Sequence, residues 1–336
     1  MADRVRLLGV GTSLPSTVRT SEQVETLIGE ASCPFRPRPG IIEAISGVRT
    51  RRVASAHVQC SDLAADAGRK AMQAAGVTPG DIDLLIFAAA SQDLIEPATS
   101  HIVQHKLATC SQVLDVKNAC NSFLNGLQVA ESLILSGGCE TALVVTGELC
   151  SRAIDWRVAD NQQFRRSFAG YTMGDAGAAA VVGRSNDERG IFYRRFVAVS
   201  RHWELATIAS GGSRNPRGQE HGFLHADGAR LKDVFVEVAP QMARLFEEES
   251  GVRLADFDRI LVHQATTPYL DEMLAVTGIP SHRVEHTVAE FGNMAAASLP
   301  VAFARALDCG TIREGDRVLW LGLASGISIG AMMMNA

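Results

Sequence analysis

VLDVKNACNSFLNGLQVAESLI (residues 113–134) joins two hydrophobic periodicities at a single residue. Residues 113–116 form the apolar, β-branched run of a strand. From Cys120 onward, Phe123, Leu124, Leu127, Ala130, Leu133 and Ile134 recur at the spacing that places them on one face of a helix. The stretch therefore predicts a strand feeding a buried helix, with Cys120 at the junction. Similar short runs at 5–10, 84–87, 143–146 and 180–182 alternate with helical patterns, which is the α/β arrangement. One helix, 61–75, opens on Ser61 and Asp62 and stops at Gly76. The rest of the chain repeats the theme, with strands expected at 191–199, 260–262, 318–323 and 327–333 and helices at 231–249, 268–277 and 295–307. Two halves of similar size, 1–190 and 191–336, are expected to pair into one layered core.

Composition narrows the function. With 46% hydrophobic and 21% charged residues among 336, the chain suits a globular protein with a sizeable core. A formal net charge of -5, without a basic stripe interleaved with aromatics, argues against nucleic acid as a partner. Seven cysteines, odd in number and without a CxxC pair, fit neither a disulfide framework nor a zinc ribbon. No metal is expected, and most thiols read as reduced and buried. No apolar run approaches the roughly 20 residues of a membrane span, and the opening MADRVRLLGVG lacks the pattern of a secretory leader, so a cytoplasmic protein is expected. Loops rich in Gly, Pro and Arg fall at 33–40 and 211–222, at the surface or over a pocket mouth.

Three residues stand where chemistry is feasible. A thiol at a helix N-terminus feels the positive end of the dipole, which lowers its pKa and favours the nucleophilic thiolate; a packed core cysteine is the other reading of Cys120. His263 ends an apolar strand, the position from which α/β sheets present side chains to a ligand crevice. Asn293 lies in the glycine turn of FGNMAAAS (291–298), where its amide serves either as a hydrogen-bond donor or as a helix cap. Taken singly, each reads as structural.

Together with their surroundings they resemble ketoacyl-acyl carrier protein synthase III and its relatives in the thiolase superfamily. The matching pieces are VGTSLP (10–15), SGVRTRR (46–52), NAC (118–120), MGDAGAA (173–179), HQAT (263–266), GNMAAAS (292–298) and GLASGISIG (322–330), in order along nearly the whole chain. The resemblance implies a thiolase fold: two pseudo-symmetric halves, Cys120 in the first and His263 and Asn293 in the second, forming a five-layered αβαβα core, normally as a homodimer. It implies that Cys120 is the nucleophile, that His263 and Asn293 donate to a thioester oxygen becoming an enolate, and that the backbone N–H groups of Cys120 and Ser325 hold the first acyl oxygen. No cofactor is implied; acyl-coenzyme A or acyl carrier protein thioesters are the substrates and partners.

Two departures refine this. SQDLIEPAT (91–99) places Glu96 where decarboxylating members usually have a bulky aromatic at the dimer interface. Together with ACNSFLNG (119–126), it resembles the head-to-head condensing enzymes of long-chain olefin biosynthesis and the ketosynthases that make α-pyrones. In those relatives the equivalent glutamate, reaching the partner's acyl tunnel, deprotonates the second thioester, and burial in an apolar tunnel would raise its pKa. The alternative is an exposed glutamate ahead of a proline that starts a helix. Secondly, Ile41 and Ile45 replace the Trp and Arg that often grip coenzyme A, Thr266 replaces the usual Asn, and Thr267 stands where an Arg often follows. Coenzyme A esters and carrier-protein thioesters both stay open, with Arg36, Arg38, Arg214 and Arg217 as candidate phosphate or carrier contacts. The expectation is a non-decarboxylative Claisen condensation of two acyl or β-ketoacyl thioesters. The alternatives are decarboxylative extension with a malonyl thioester, acyl transfer to an alcohol or amine, and a non-catalytic acyl-binding subunit.

Overall fold

The computed structural model describes residues 4–218 and 222–336. In the first part of the chain the strands are β1 (Val5–Ser13), β2 (Val18–Thr20), β3 (Thr50–Arg52), β4 (Leu84–Ala88), β5 (Gln112–Val116), β6 (Thr141–Leu149) and β7 (Asp175–Arg184). Its helices are α1 (Ser21–Ala31), α2 (Ile41–Ser46), α3 (Cys60–Ala75), α4 (Thr99–Leu107), α5 (Ser122–Leu135) and α6 (Asn161–Tyr171). The remainder supplies β8 (Gly190–Ala198), β9 (Ala206–Ile208), β10 (Leu224–Ala226), β11 (Arg259–Val262), β12 (Arg317–Ala324) and β13 (Ser328–Asn335). With them come α7 (Gly228–Ser250), α8 (Thr267–Thr277), α9 (Val288–Phe291) and α10 (Ser298–Asp308).

The first sheet runs β1-β7-β6-β4-β5, the second β8-β13-β12-β11. Along β1, β7, β6 and β4 the pairings are antiparallel, antiparallel and parallel, and the same succession recurs along β8, β13, β12 and β11. A lone parallel bridge between Ile260 and Val284 stands in the second sheet where β5 stands in the first. The two sheets are thus copies of one plan, and the chain after each fifth position turns into a central helix, α5 or α10.

Those two helices fill the space between the sheets. One hydrophobic cluster unites Phe123, Leu124 and Leu127 of α5 and Leu299 and Phe303 of α10 with Ile86, Val144, Trp320 and Met332 from both sheets. Trp320 is fully buried, stacked on Phe123 at 6.4 Å between centroids and close to Phe303 at 5.0 Å. The outer face of the first sheet is covered by α3 and α4, that of the second by α7 and α8. The result is the expected αβαβα layering.

Local differences from the sequence reading have physical causes. The expected helix at 295–307 is divided, because Ala295 has φ +46 and only a 3-10 turn, Ala295–Ala297, precedes α10. The small strands β2, β3, β9 and β10, three residues each, are too short to carry a period. All seven cysteines are free, but only Cys60 and Cys150 are fully buried; Cys33, Cys110 and Cys309 are exposed, contrary to the expected majority. Of the 211–222 loop, residues 219–221 lie outside the described residues. No helix among the described residues is long and apolar enough to cross a membrane.

Truncating the indole that joins both central helices to the second sheet should be among the most costly core changes. Trp320→Ala is expected to lower unfolding free energy by about 3–5 kcal/mol, as large-to-small aromatic truncations do, measured by urea denaturation.

Candidate active site

Between β5 and α5 the backbone makes a tight turn through Asn118, Ala119 and Cys120. Ala119 has φ +47, a conformation that costs an L-residue roughly 1–2 kcal/mol. Ser122 braces the turn, its hydroxyl accepting from Asn118 N at 2.8 Å and donating to Ala119 O at 2.7 Å. The asparagines on either side reach across to the second half. Asn121 Nδ2 donates to Ser328 O and Oγ at 3.0 and 3.1 Å, and Asn118 Nδ2 donates to Ser328 Oγ at 3.1 Å. Ser328 opens β13, immediately after the turn that carries Ser325, Gly326 and Ile327. Close approach requires Gly322 on β12, since a Cβ there would lie 1.9 Å from Asn121 Oδ1. The turn with Ser325 is therefore docked directly on the turn with Cys120.

His263 continues the β11 ladder, its N–H donating to Leu321 O of β12 at 2.8 Å. The ring is buried, Nδ1 lacks any hydrogen-bond partner, and burial holds the imidazole down at about 4, so it is neutral at pH 7. Gln264, also buried, ties this strand end to the segment before Asn293. Its Nε2 donates to Glu285 O at 2.6 Å and its Oε1 accepts from Thr287 N and Val288 N at 3.0 and 3.1 Å. Asn293 is fixed in turn from the first half: Asn293 N donates to Thr172 O, and Gly174 N to Asn293 O, both at 3.0 Å. Its Oδ1 accepts from Ala295 N at 2.9 Å. With the carbonyl end occupied, donation through Nδ2 is what remains to the amide.

The electrostatics of Cys120 depart from the dipole expectation. Burial, reinforced by the Glu148 carboxylate, pushes the thiol up to about 12, although the residue keeps some surface. The sulfur precedes α5, whose first helical residue is Ser122, and desolvation outweighs the dipole. Glu148 is itself fully buried near the end of β6 and held above the usual carboxylate range by burial. It accepts from Ala90 N at 2.7 Å and Ser91 N at 3.0 Å, and from the Ala296 backbone beyond Asn293.

Glu96 lies in the segment 89–98 between β4 and α4. It is exposed, and among the described residues it makes no hydrogen bond or ion pair. The tunnel burial expected for it is absent in the single chain, where no element among the described residues covers Glu96. That loop is nonetheless well anchored, by Glu148 at residues 90 and 91, by Asp93 accepting from Ser61 N at 3.0 Å, and by Asp115 accepting from Thr99 N and Ser100 N at 2.9 Å. Between the anchors, Leu94 and Ile95 stand 51% and 66% exposed, far more than apolar side chains usually are. An open cavity of about 1070 Å³ lies elsewhere, lined by Arg19, Glu30, Val53, Arg152, Trp156 and Phe223 among others. Cys120, His263, Asn293 and Glu96 do not line it, and neither do Arg36, Arg38, Arg214 or Arg217. Arg214 instead packs over Trp203, at 5.1 Å from the ring centroid.

Comparison with known proteins agrees with this architecture. Two family descriptions match, 3-oxoacyl-[acyl-carrier-protein (ACP)] synthase III over residues 114–198 and its C-terminal part over residues 248–336. The beta-ketoacyl-[acyl-carrier-protein] synthase III of Symbiobacterium thermophilum is 32% identical, covering 98% of each chain. This chain belongs to the ketoacyl-acyl carrier protein synthase III family. The same-named protein of Erythrobacter litoralis is also 32% identical, over 99% of each chain. Among solved structures, the 3-oxoacyl-[acyl-carrier-protein] synthase III of Aquifex aeolicus superposes with a TM-score of 0.85 at 26% identity, covering 99% of this chain and all of its own. Xanthomonas campestris OleA shares the fold with a TM-score of 0.90 at 24% identity, over 99% of this chain and 97% of that one.

The protein is thus an acyltransferase of the condensing, thiolase-fold kind. The bracing roles of Gln264, Ser328 and Glu148 escape a reading of the sequence, since hydrogen-bond partners distant in sequence leave no local pattern. Gln264 and Ser328 do lie within HQAT (263–266) and GLASGISIG (322–330), and Glu148 leaves a signal as a carboxylate inside the apolar run of β6.

A thiol held near 12 fixes the pH course of its reactivity. Alkylation of Cys120 by iodoacetamide, followed by peptide mass spectrometry, is expected to quicken steadily up to pH 10 without the plateau an ordinary thiol reaches above pH 9.

Proposed function

We propose that the chain works in the cytosol as a homodimer that condenses two acyl thioesters without decarboxylation. Residues 1–190 would provide Cys120 and residues 191–336 His263 and Asn293, so that the site lies at the seam of two thiolase-like halves. The observation that carries this reading is the anchored loop that leaves Glu96 exposed and unpaired beside Leu94 and Ile95. An apolar pair projecting from a fixed loop suits insertion into a second copy, and a carboxylate placed there gains basicity as it is desolvated.

In the first half-reaction the Cys120 sulfur bonds to the thioester carbonyl carbon, the bond to the carrier sulfur breaks, and the thiol proton departs with the carrier thiol. The backbone N–H groups of Cys120 and Ser325 hold the oxyanion, a type of donor whose loss costs about 3–4 kcal/mol of transition-state stabilisation. In the second, Glu96 of the partner subunit removes the α-proton of another acyl thioester. His263 and Asn293 donate to the enolate oxygen, for which a neutral imidazole and an amide oriented through Oδ1 are suited. The enolate carbon then bonds to the acyl carbonyl, the carbon–sulfur bond to Cys120 breaks, and the proton held on Glu96 returns to the thiolate. Coenzyme A and carrier-protein thioesters both supply the required leaving group; OleA has been crystallised with lauric acid and lauroyl-CoA.

Decarboxylative condensation with a malonyl thioester is the second reading, favoured by the names of the relatives at 32% identity. The two separate cleanly. With acyl-coenzyme A as sole substrate, carbon–carbon products are expected from the wild type. Glu96→Ala should lower their rate by roughly 10²–10⁴-fold, the usual worth of a general base, while still acylating Cys120. Products that appear only with malonate, at equal rates in wild type and Glu96→Ala, overturn the head-to-head reading.

A further inference from the structure

Glu148 is fully buried, and among the described residues it makes no ion pair. It stands next to the end of β6, opposite Ala176 of β7, on a stretch pressed against α3: a Cβ on the preceding Gly147 would lie 1.9 Å from Cys60 O. From that firm base the carboxylate meets backbone from two directions. Its Oε1 accepts from Ala90 N at 2.7 Å and its Oε2 from Ser91 N at 3.0 Å, and the Ala296 backbone donates to it as well. Both oxygens accept from separate N–H groups, an arrangement that an ionised carboxylate satisfies and that an amide, with one oxygen and one NH2, does not. Removing a carboxylate from water is unfavourable, and here hydrogen bonds alone offset it.

The donors belong to two segments that are far apart in sequence. Ala90 and Ser91 open the segment 89–98 that bears Glu96, whose other anchors, from Asp93 to Ser61 and from Asp115 to Thr99, lie on either side of the exposed tip. Ala296 lies three residues after Asn293, in the turn Ala295–Ala297, which packs against β6 and α5. The preceding Ala295 has φ +46, strained for an L-residue, and its N–H donates to Asn293 Oδ1 at 2.9 Å. The bond from Ala296 to Glu148 therefore holds the strained turn whose neighbouring N–H sets the Asn293 amide. One side chain fixes the stem of the Glu96 segment and the turn that orients Asn293.

We propose that Glu148 is a positioning residue for the condensation step, clasping Ala90, Ser91 and Ala296 so that the Glu96 segment and the Asn293 turn keep one geometry. The inference rests on the roles of Glu96 and Asn293 in the reading above. In that homodimer Glu96 serves the partner's site while Asn293 serves its own, so each Glu148 acts on both sites.

The test separates the two half-reactions in the wild type and in the nearly isosteric Glu148→Gln, with octanoyl-coenzyme A as sole substrate. Acylation of Cys120, followed by intact-protein mass spectrometry in a single turnover, is expected to be at least as fast in the variant, because the turns of Cys120 and Ser325 are held by other bonds. Formation of carbon–carbon product is expected to fall about a hundredfold, the loss that follows when a reacting group is misplaced by about 1 Å. In a Glu96→Ala background, Glu148→Gln should cost less than about tenfold, since most of its effect passes through the missing carboxylate. Should the Gln variant not fold, Glu148→Asp, whose carboxylate is retracted by one methylene, carries the same comparisons. Equal product rates, acylation and condensation falling in step, or an undiminished loss in the Glu96→Ala background overturn the proposal. If the wild type acylates Cys120 yet forms product only with malonate, the reading of Glu96 is itself wrong, and the role of Glu148 falls with it.

Discussion

The hydrogen bonds from Asn118 and Asn121 to Ser328 are the constraint on which the candidate site depends. They bind the turn after β5 to the start of β13 and so fix the register between two halves that otherwise meet mainly through apolar side chains. Apolar packing tolerates small shifts, whereas buried amides and hydroxyls in a low-dielectric interior demand satisfied geometry. The same logic recurs on the other side of the site, where Gln264 clasps the segment before Asn293 and the Asn293 backbone pairs with residues 172 and 174. Each half thus holds the other's functional turn.

This scaffold produces a resting site poor in charge. Desolvation keeps the Cys120 thiol protonated and the His263 ring neutral, and Glu148 adds to the first effect from within the core. In the proposed condensation, charge would develop only as a thioester reacts, where preorganised dipoles stabilise it most. The helix dipole remains a contributor to nucleophilicity, but it acts at a sulfur lying ahead of Ser122 and is outweighed by the loss of water.

Much of the architecture was legible because its signals are periodic. The change of period at Cys120, from alternating strand to helical face, located the central helix, and Trp320 and Phe303 lie in runs that likewise declare burial. Ala119 and Ala295 show where legibility ends: both adopt left-handed conformations that alanine does not advertise, and the second divides a helix that the sequence presents as continuous. The Cys120 shift runs against the dipole expectation because the dipole is a local property, readable from position, while desolvation comes from segments distant in sequence. For Glu96, composition of the loop located the residue, but its environment depends on a surface that one chain does not supply.

A cysteine kept protonated by burial has a consequence beyond the proposed condensation. Peroxide attacks thiolates, and attack on a protonated sulfur in a confined site is slow. Cys33, Cys110 and Cys309, exposed on the surface, meet oxidant first. The burial that keeps the Cys120 thiol protonated therefore also shields it from sulfenic acid formation.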